Sequence, residues 1–414
     1  MAKRSPTKLV VVAGLPAEAS ATVTDALLTA QPGTVTLHHD LRRVSEGIVI
    51  RRMRSARQDQ QVALELAHGC VSCTLREDVL PMLRRLADIP GVRRIVLRLD
   101  PAIEPDAVCW AIQQVLVGDR PVGADLDIEA VITVIDPATW LAAATDDKDL
   151  AEHGLAITPE DERTLAQVAV GQVEFADAIV LAGEFRHGWT GAKTTAVLNR
   201  LAPLAPRARL ADLDLLALLA RLPVNARRGA PDDPHGPVLL GQPPLDADSG
   251  CTTLLFHDQR PFHPQRLHAA FDALLDGVVR TRGRVWVASQ PDAVLWLESA
   301  GGGLNLGRVG SWLAATDPAE WSAVDPQRQA MAALRWHPYY GDRAQDLSIL
   351  LHDADPEEIT SALRSALLTD AELAEGAESW PALPDPFGAW HTDPCADLRQ
   401  DEPDAELSTG KEEE

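Results

Sequence analysis

Residues 8–22 read KLVVVAGLPAEASAT, and the reading of this stretch decides the fold. The run Leu9–Ala13 is apolar without alternation, which is what a strand buried on both faces looks like, and such strands belong to parallel sheets covered by helices. A Gly-Leu-Pro turn follows, then a helix-forming stretch, ATVTDALLTAQ. In a doubly wound α/β sheet the first strand-to-helix turn is where phosphates are usually cradled. A working phosphate loop reads G-x-x-x-x-G-K-[ST]: its lysine neutralises the terminal phosphates and its hydroxyl holds magnesium. Here Gly14 is present, but Ala19 stands for the second glycine, Ser20 for the lysine and Ala21 for the hydroxyl residue. Thr22 comes one position late. Gly14, Ser20 and Thr22 are therefore candidate residues of a degenerate cofactor site, where the helix N-terminus still offers weak attraction to an anion.

Working outward, GTVTLHHD, RRIVLRLD, AVITVID and ADAIVLAG repeat the pattern of short β-branched runs separated by helix-length segments, predicting a mostly parallel sheet. Residues 225–249, rich in Pro, Gly and Asp, read as a linker. Beyond it the grammar changes. CTTLLFHD is a strand and PQRLHAAFDALLD a helix. GRVWVASQ, AVLWLES and LNLGRVGSW form a meander. DLSILLHD is a strand and DPEEITSALRSALL a helix started by Asp355 and Pro356. These predict an α+β domain with an antiparallel sheet. Trp286 and Trp296, inside strand patterns, are expected in its core. Arg260, Phe262, His263, Arg266 and His268 are expected to cap its first helix and to fix the domain through arginine–carboxylate contacts. The division is 1–224, linker 225–249, second domain 250–393, and an acidic disordered tail 394–414.

The 414 residues suit two domains. No run of eighteen apolar residues exists, so no membrane span is expected. MAKRSPTKLVVVAGL lacks a convincing cleavage site and reads as the first strand, so a cytoplasmic protein is expected. The net charge of −23 excludes a broad nucleic-acid footprint, which needs a basic face; contact with RNA would run through a protein partner. Five cysteines over this length do not make a disulfide framework.

Two of them, Cys70 and Cys73, lie in HGCVSCTLRED, residues 68–78. Two thiolates so spaced can chelate one zinc ion, which needs four ligands, or three plus water. His68 is a plausible third ligand, and His38 and His39 end the preceding strand. The same spacing also suits two buried structural thiols or a redox pair. Cys109, Cys251 and Cys395 have no partner nearby in sequence. A second lysine motif, G188-W-T-G-A-K-T194, lacks a glycine before Lys193 and reads as a decoy.

The first turn, HGCVSCTLRED, EFADAIVL, RPFHPQRLH, YYGDRAQDL and LPDPFGAW together resemble the CobW family over residues 7–391. Those are P-loop GTPase-like metal-handling proteins with a separate C-terminal domain. The resemblance implies a P-loop GTPase-like doubly wound sheet followed by the smaller α+β CobW C-terminal domain. It also implies GTP with Mg²⁺, and zinc held by a C-x-C-C motif. That motif maps here onto Cys70 and Cys73, with Ser72 replacing the middle cysteine, so zinc should bind more weakly. The family's nucleotide motifs are degraded. The acidic residue after the third strand falls at Arg98, and the following glycine at Pro101, which has no amide hydrogen. The base-reading N-K-x-D falls at Ala182-Gly183-Glu184-Phe185. Each lost charge-assisted hydrogen bond costs roughly 1.5–3 kcal/mol, so efficient GTP turnover is not expected.

HHDL…EG…HGCVSCTLREDVLP is similar to an actinobacterial branch associated with recruiting a ribosome hibernation factor during zinc limitation. The resemblance therefore implies a zinc-responsive binding protein whose partner is a basic hibernation factor bound for the small ribosomal subunit. The alternative it implies is a GTP-dependent metallochaperone that hands zinc to a client protein.

Overall fold

A computed structural model of the chain describes residues 6–66 and 69–388. The tail after residue 393, Trp390, Cys395 and His68 lie outside the described residues. The first sheet has eight strands: β1 (Thr7–Ala13), β2 (Thr34–Asp40), β3 (Ile48–Ser55), β4 (Asp59–Glu65), β5 (Arg94–Arg98), β6 (Leu126–Ile135), β7 (Ala178–Leu181) and β8 (Arg207–Arg209). Their spatial order is β8-β7-β6-β1-β5-β2-β3-β4. From β8 to β2 every pairing is parallel, whereas β3 and β4 join antiparallel. Val10, Val11 and Val12 of β1 are completely buried, as the unbroken apolar run requires. The β3–β4 hairpin was not assigned from sequence. β4 is the edge strand, and its Asp59, Gln60 and Gln61 are exposed, where polar and charged side chains discourage further strand pairing, while Arg51 and Arg54 of β3 are partly buried.

The helices that position the site are α1 (Ala17–Ala30), α2 (71–88), α3 (Pro105–Gln114), α4 (Leu165–Glu174) and α5 (Trp189–Leu201). α2 is α-helical at Val71–Thr74, widens to a π turn at Leu75–Val79 and resumes as α-helix at Leu80–Asp88.

The second sheet is antiparallel, β9 (Cys251–Asp258), β10 (Val278–Val285), β11 (Ala293–Ala300), β12 (Gly303–Ser311) and β13 (Gln345–His352), in the order β9-β13-β10-β11-β12. The expected meander is β10-β11-β12. The helix starting at Pro356 is present, with Asp355 accepting from the Glu357 amide at 2.8 Å. Arg266 pairs with Glu372 at 2.7 Å and Arg260 with Asp370 at 2.8 Å, as the arginine–carboxylate expectation has it. His263 does not cap through its side chain. His268 instead packs against Phe271 and Phe387. Trp286 is core, but Trp296 is only partly buried, because its side chain lines an open cleft between the two domains, with Arg282 over its ring at 5.4 Å.

Residues 225–249 contain no helix or strand, yet they do not hang free. Asp232 binds Arg227 and Arg282, and the carbonyls of Pro234 and Gly236 accept from Arg284. Arg280, Arg282 and Arg284 alternate along β10 and so share one face. Glu174 at the end of α4 takes Arg280 and Arg282 together, at 2.8 and 2.6 Å. Burial alone would raise its pKa, but the two guanidiniums outweigh burial and hold it at about 2. Lys193 of the decoy motif pairs with Asp353 of the second domain, so its charge is committed to the domain junction.

Candidate functional site

The first βα turn is shorter than a phosphate loop requires. The helix already begins at Ala17, three residues after Gly14, and the Ser20 amide is bonded to the Pro16 carbonyl at 2.9 Å. In a working loop the amides of this stretch would face the phosphates. Gly14 has φ +145, and a Cβ there would lie 2.2 Å from the Val134 carbonyl oxygen. Close passage of β6 therefore accounts for this glycine. Ser20 is buried and Thr22 donates to the Glu18 carbonyl on its own helix. Of the three candidates only Gly14 lies in the turn. Arg98 ends β5 beside it and donates to the Ala17 carbonyl at 3.4 Å, and burial lowers its pKa. Asp100 is held by the amides of Leu41 and Ala102. At the base-reading position Glu184 pairs with Arg209.

The thiol segment is built differently. Cys70 is the N-cap of α2, with extended backbone, and its Sγ accepts from the Cys73 amide at 3.3 Å. The Cys70 carbonyl accepts from Thr74 through both its amide and its hydroxyl. A helix N-terminus is a favourable place for negative charge, and the Cys70 side chain holds the cap position there. Both cysteines are partly buried.

Behind them the helix is anchored by Asp78, in the π turn. Its carboxylate binds His39 Nε2 at 2.7 Å and also Arg51 Nη1, and all three side chains are largely buried. His39 is thus committed to Asp78. His38 bonds the Arg98 carbonyl at 3.1 Å, and burial, reinforced by Arg98, lowers its pKa to about 4. Among the described residues no three His, Cys, Asp or Glu side chains are grouped as a metal site. The structure thus places Cys70 and Cys73 on one helix turn, and gives the two histidines of β2 other work.

Sequence reasoning missed the Asp78 anchor and the cleft beside it. A volume of about 1130 Å³ opens between the two domains, reached on one side by Ser72, Leu75 and Arg76 of the thiol helix. Glu104 lies in its wall, 2.9 Å from Arg163, which also binds Asp161 at 2.8 Å. Burial and the neighbouring Asp106 carboxylate push Glu104 up to about 7. The alternating arginines of β10 were the one legible signal that a charged junction lay here.

A doubly wound sheet with a displaced nucleotide turn, a thiol-capped helix and an appended antiparallel sheet defines a P-loop-type α/β protein with a second α+β domain. Residues 42–183 match the model of the CobW/HypB/UreG nucleotide-binding domain, and residues 251–367 that of the cobalamin synthesis protein cobW C-terminal domain. A Mycobacterium tuberculosis protein named as a zinc chaperone is 46% identical over 389 residues, spanning 91% of this chain and 92% of its own. The chain belongs to the CobW family. A Dictyostelium discoideum protein named zinc-regulated GTPase metalloprotein activator 1 is 26% identical, over 82% of this chain and 73% of its own. The solved Zn(II)-bound YjiA GTPase of E. coli is 13% identical, with a TM-score of 0.37, over 88% of this chain and 100% of that one. Among the described residues no helix is long and apolar enough to cross a membrane.

Proposed function

We propose that this chain is a zinc-responsive binding protein that captures zinc at Cys70 and Cys73 and engages a protein partner without a phosphate cycle. The observation that carries the reading is the cap of α2, where one thiol sits on the N-terminus and the next cysteine's amide donates to it. Two such soft donors suit zinc, and they leave coordination positions for His68, water or a residue of the partner. An incomplete donor set exchanges metal readily, which suits sensing or transfer better than permanent structure.

The partner of this reading is a basic ribosome hibernation factor recruited to the small ribosomal subunit, in keeping with the strong negative charge of the chain. The names of the two relatives favour a second reading, delivery of zinc to a client protein with GTP; the helix starting at Ala17 counts against its nucleotide step. Zinc titration against a chromogenic chelator, with Cys70→Ser and Cys73→Ser together as control, tests the metal site. Mass spectrometry of proteins co-purifying from zinc-starved and zinc-replete cells tests the partner. An unchanged zinc stoichiometry in the double variant sinks the first claim, and a zinc-insensitive partner set without ribosomal factors sinks the second.

A further inference from the structure

We propose that the cleft between the two domains is the docking site for a lysine- and arginine-bearing polypeptide segment of the partner, seated beside the thiol helix. At about 1130 Å³ the cleft exceeds the size of ordinary small-molecule sites, roughly 300–1,000 Å³, and has room for an extended stretch of chain. Its walls carry ten carboxylates against four guanidiniums. Three of those guanidiniums are already spoken for: Arg163 by Glu104 and Asp161, Arg227 by Asp232, and Arg280 by Glu174 and Glu298. Among the described residues, Asp106, Asp147, Asp149, Glu160 and Glu162 line the cleft without a cation at ion-pair distance. They come from the parallel-sheet domain, and Glu298 faces them from the antiparallel sheet. Burial and the Glu298 carboxylate raise the pKa of Asp106, as expected of a charge that lacks its counter-ion.

The concavity has an aromatic wall as well. Trp110 is 51% exposed and lines the cleft, an open indole face of the kind that takes a guanidinium or the aliphatic stem of a lysine. A divalent ion is the poorer occupant, because no three carboxylates, thiols or imidazoles among the described residues are grouped to ligate one. Ser72, Leu75 and Arg76 form part of the rim, so a bound segment would lie within one helix turn of Cys70 and Cys73. The cleft thus names the chemistry of the partner, and it rests on the proposed function only in assigning that segment to a zinc-dependent partner.

The test uses the full chain and fluorescence anisotropy of a labelled twelve-residue peptide of alternating arginine and serine, with an aspartate–serine peptide as control. The arginine peptide should bind, and its affinity should fall with added salt. The triple variant Asp106→Asn, Glu160→Gln, Glu162→Gln removes carboxylates that support no ion pair, so it should fold, as a thermal melt will verify. It should lose at least about tenfold in affinity, and Trp110→Ala should lose severalfold. The remote pair Glu357→Gln, Glu358→Gln should lose nothing. Equal losses in the cleft and remote variants, absence of binding, or complete displacement of the peptide by an equimolar amount of spermine would each overturn the proposal. Repeating the titration with Cys70→Ser, Cys73→Ser separates the two claims. Peptide binding that survives there while zinc is lost leaves the cleft standing. Zinc binding in the absence of any peptide binding overturns the cleft alone.

Discussion

The N-terminus of α1 and the N-terminus of α2 are both strand-to-helix junctions of one domain, and they start in opposite ways. α1 begins behind Pro16 with no side-chain cap, and Glu18 stands in its first turn. α2 begins behind Cys70, whose sulfur takes a backbone amide. A helix N-terminus is a general place for negative charge, and what differs is who supplies it. At α1 the chain supplies its own carboxylate on a helix that starts three residues after Gly14. At α2 it supplies a thiol, which becomes a charge when a metal is present. On the proposed reading, the chemistry of this chain belongs to the second junction.

The largest effect expected is on the anchor of α2. Asp78→Ala leaves His39 and Arg51 buried without their carboxylate and should cost ~3–5 kcal/mol, read by urea denaturation. A cost below about 1 kcal/mol would mean that the thiol helix is held by its apolar face alone. Next comes the metal itself. Cys70→Ser with Cys73→Ser should weaken zinc binding by about a hundredfold while leaving the melting curve close to wild type. Because thiols lose protons on binding metal, zinc affinity should also fall as pH is lowered, measurable by chelator competition.

A smaller effect separates the two buried glutamates of the cleft wall. Glu104, held at about 7, binds a proton in the folded state that it would release when unfolded. Its ionisation therefore costs stability as pH rises from about 4.5 to 7. Glu104→Gln should remove that slope and raise stability at pH 8 by roughly 1–2 kcal/mol. Glu174, held at about 2, behaves oppositely. It stabilises above about pH 4.5 and loses that contribution as pH falls towards 2. An identical pH slope in wild type and Glu104→Gln would show that Arg163 alone neutralises Glu104.

The smallest effect is at α1. Glu18→Ala should cost ~0.3–1 kcal/mol by removing a carboxylate from the helix N-terminus. Fluorescent-nucleotide titration should detect no saturable GTP binding in either protein. Micromolar, magnesium-dependent binding would erase the contrast between the two helix starts.

The parallel strands were legible because each is an unbroken β-branched run; the Cys70–Cys73 pair was visible by its spacing, with two residues between the thiols. The β3–β4 hairpin was not, since RRMRSARQDQQ reads by composition as a loop. It is a strand pair because β2 offers it an edge. Trp296 was assigned to the core on periodicity, which marks a face of the strand but does not tell whether a cleft opens over it. Residues 225–249 read as a linker on composition, and no local rule foresees that Asp232 will be gripped by Arg282 of β10.

By itself the sequence determined the fold class, the absent phosphate-loop lysine and the thiol pair, because strand burial, charge and metal-ligand chemistry are local properties of residue type and spacing. Only the tertiary structure decided that α1 starts three residues after Gly14, that Asp78 takes His39 out of reach of other roles, and that carboxylates from two domains face one cleft. Those outcomes depend on which elements approach one another, and residues far apart in the chain meet only once both sheets have packed.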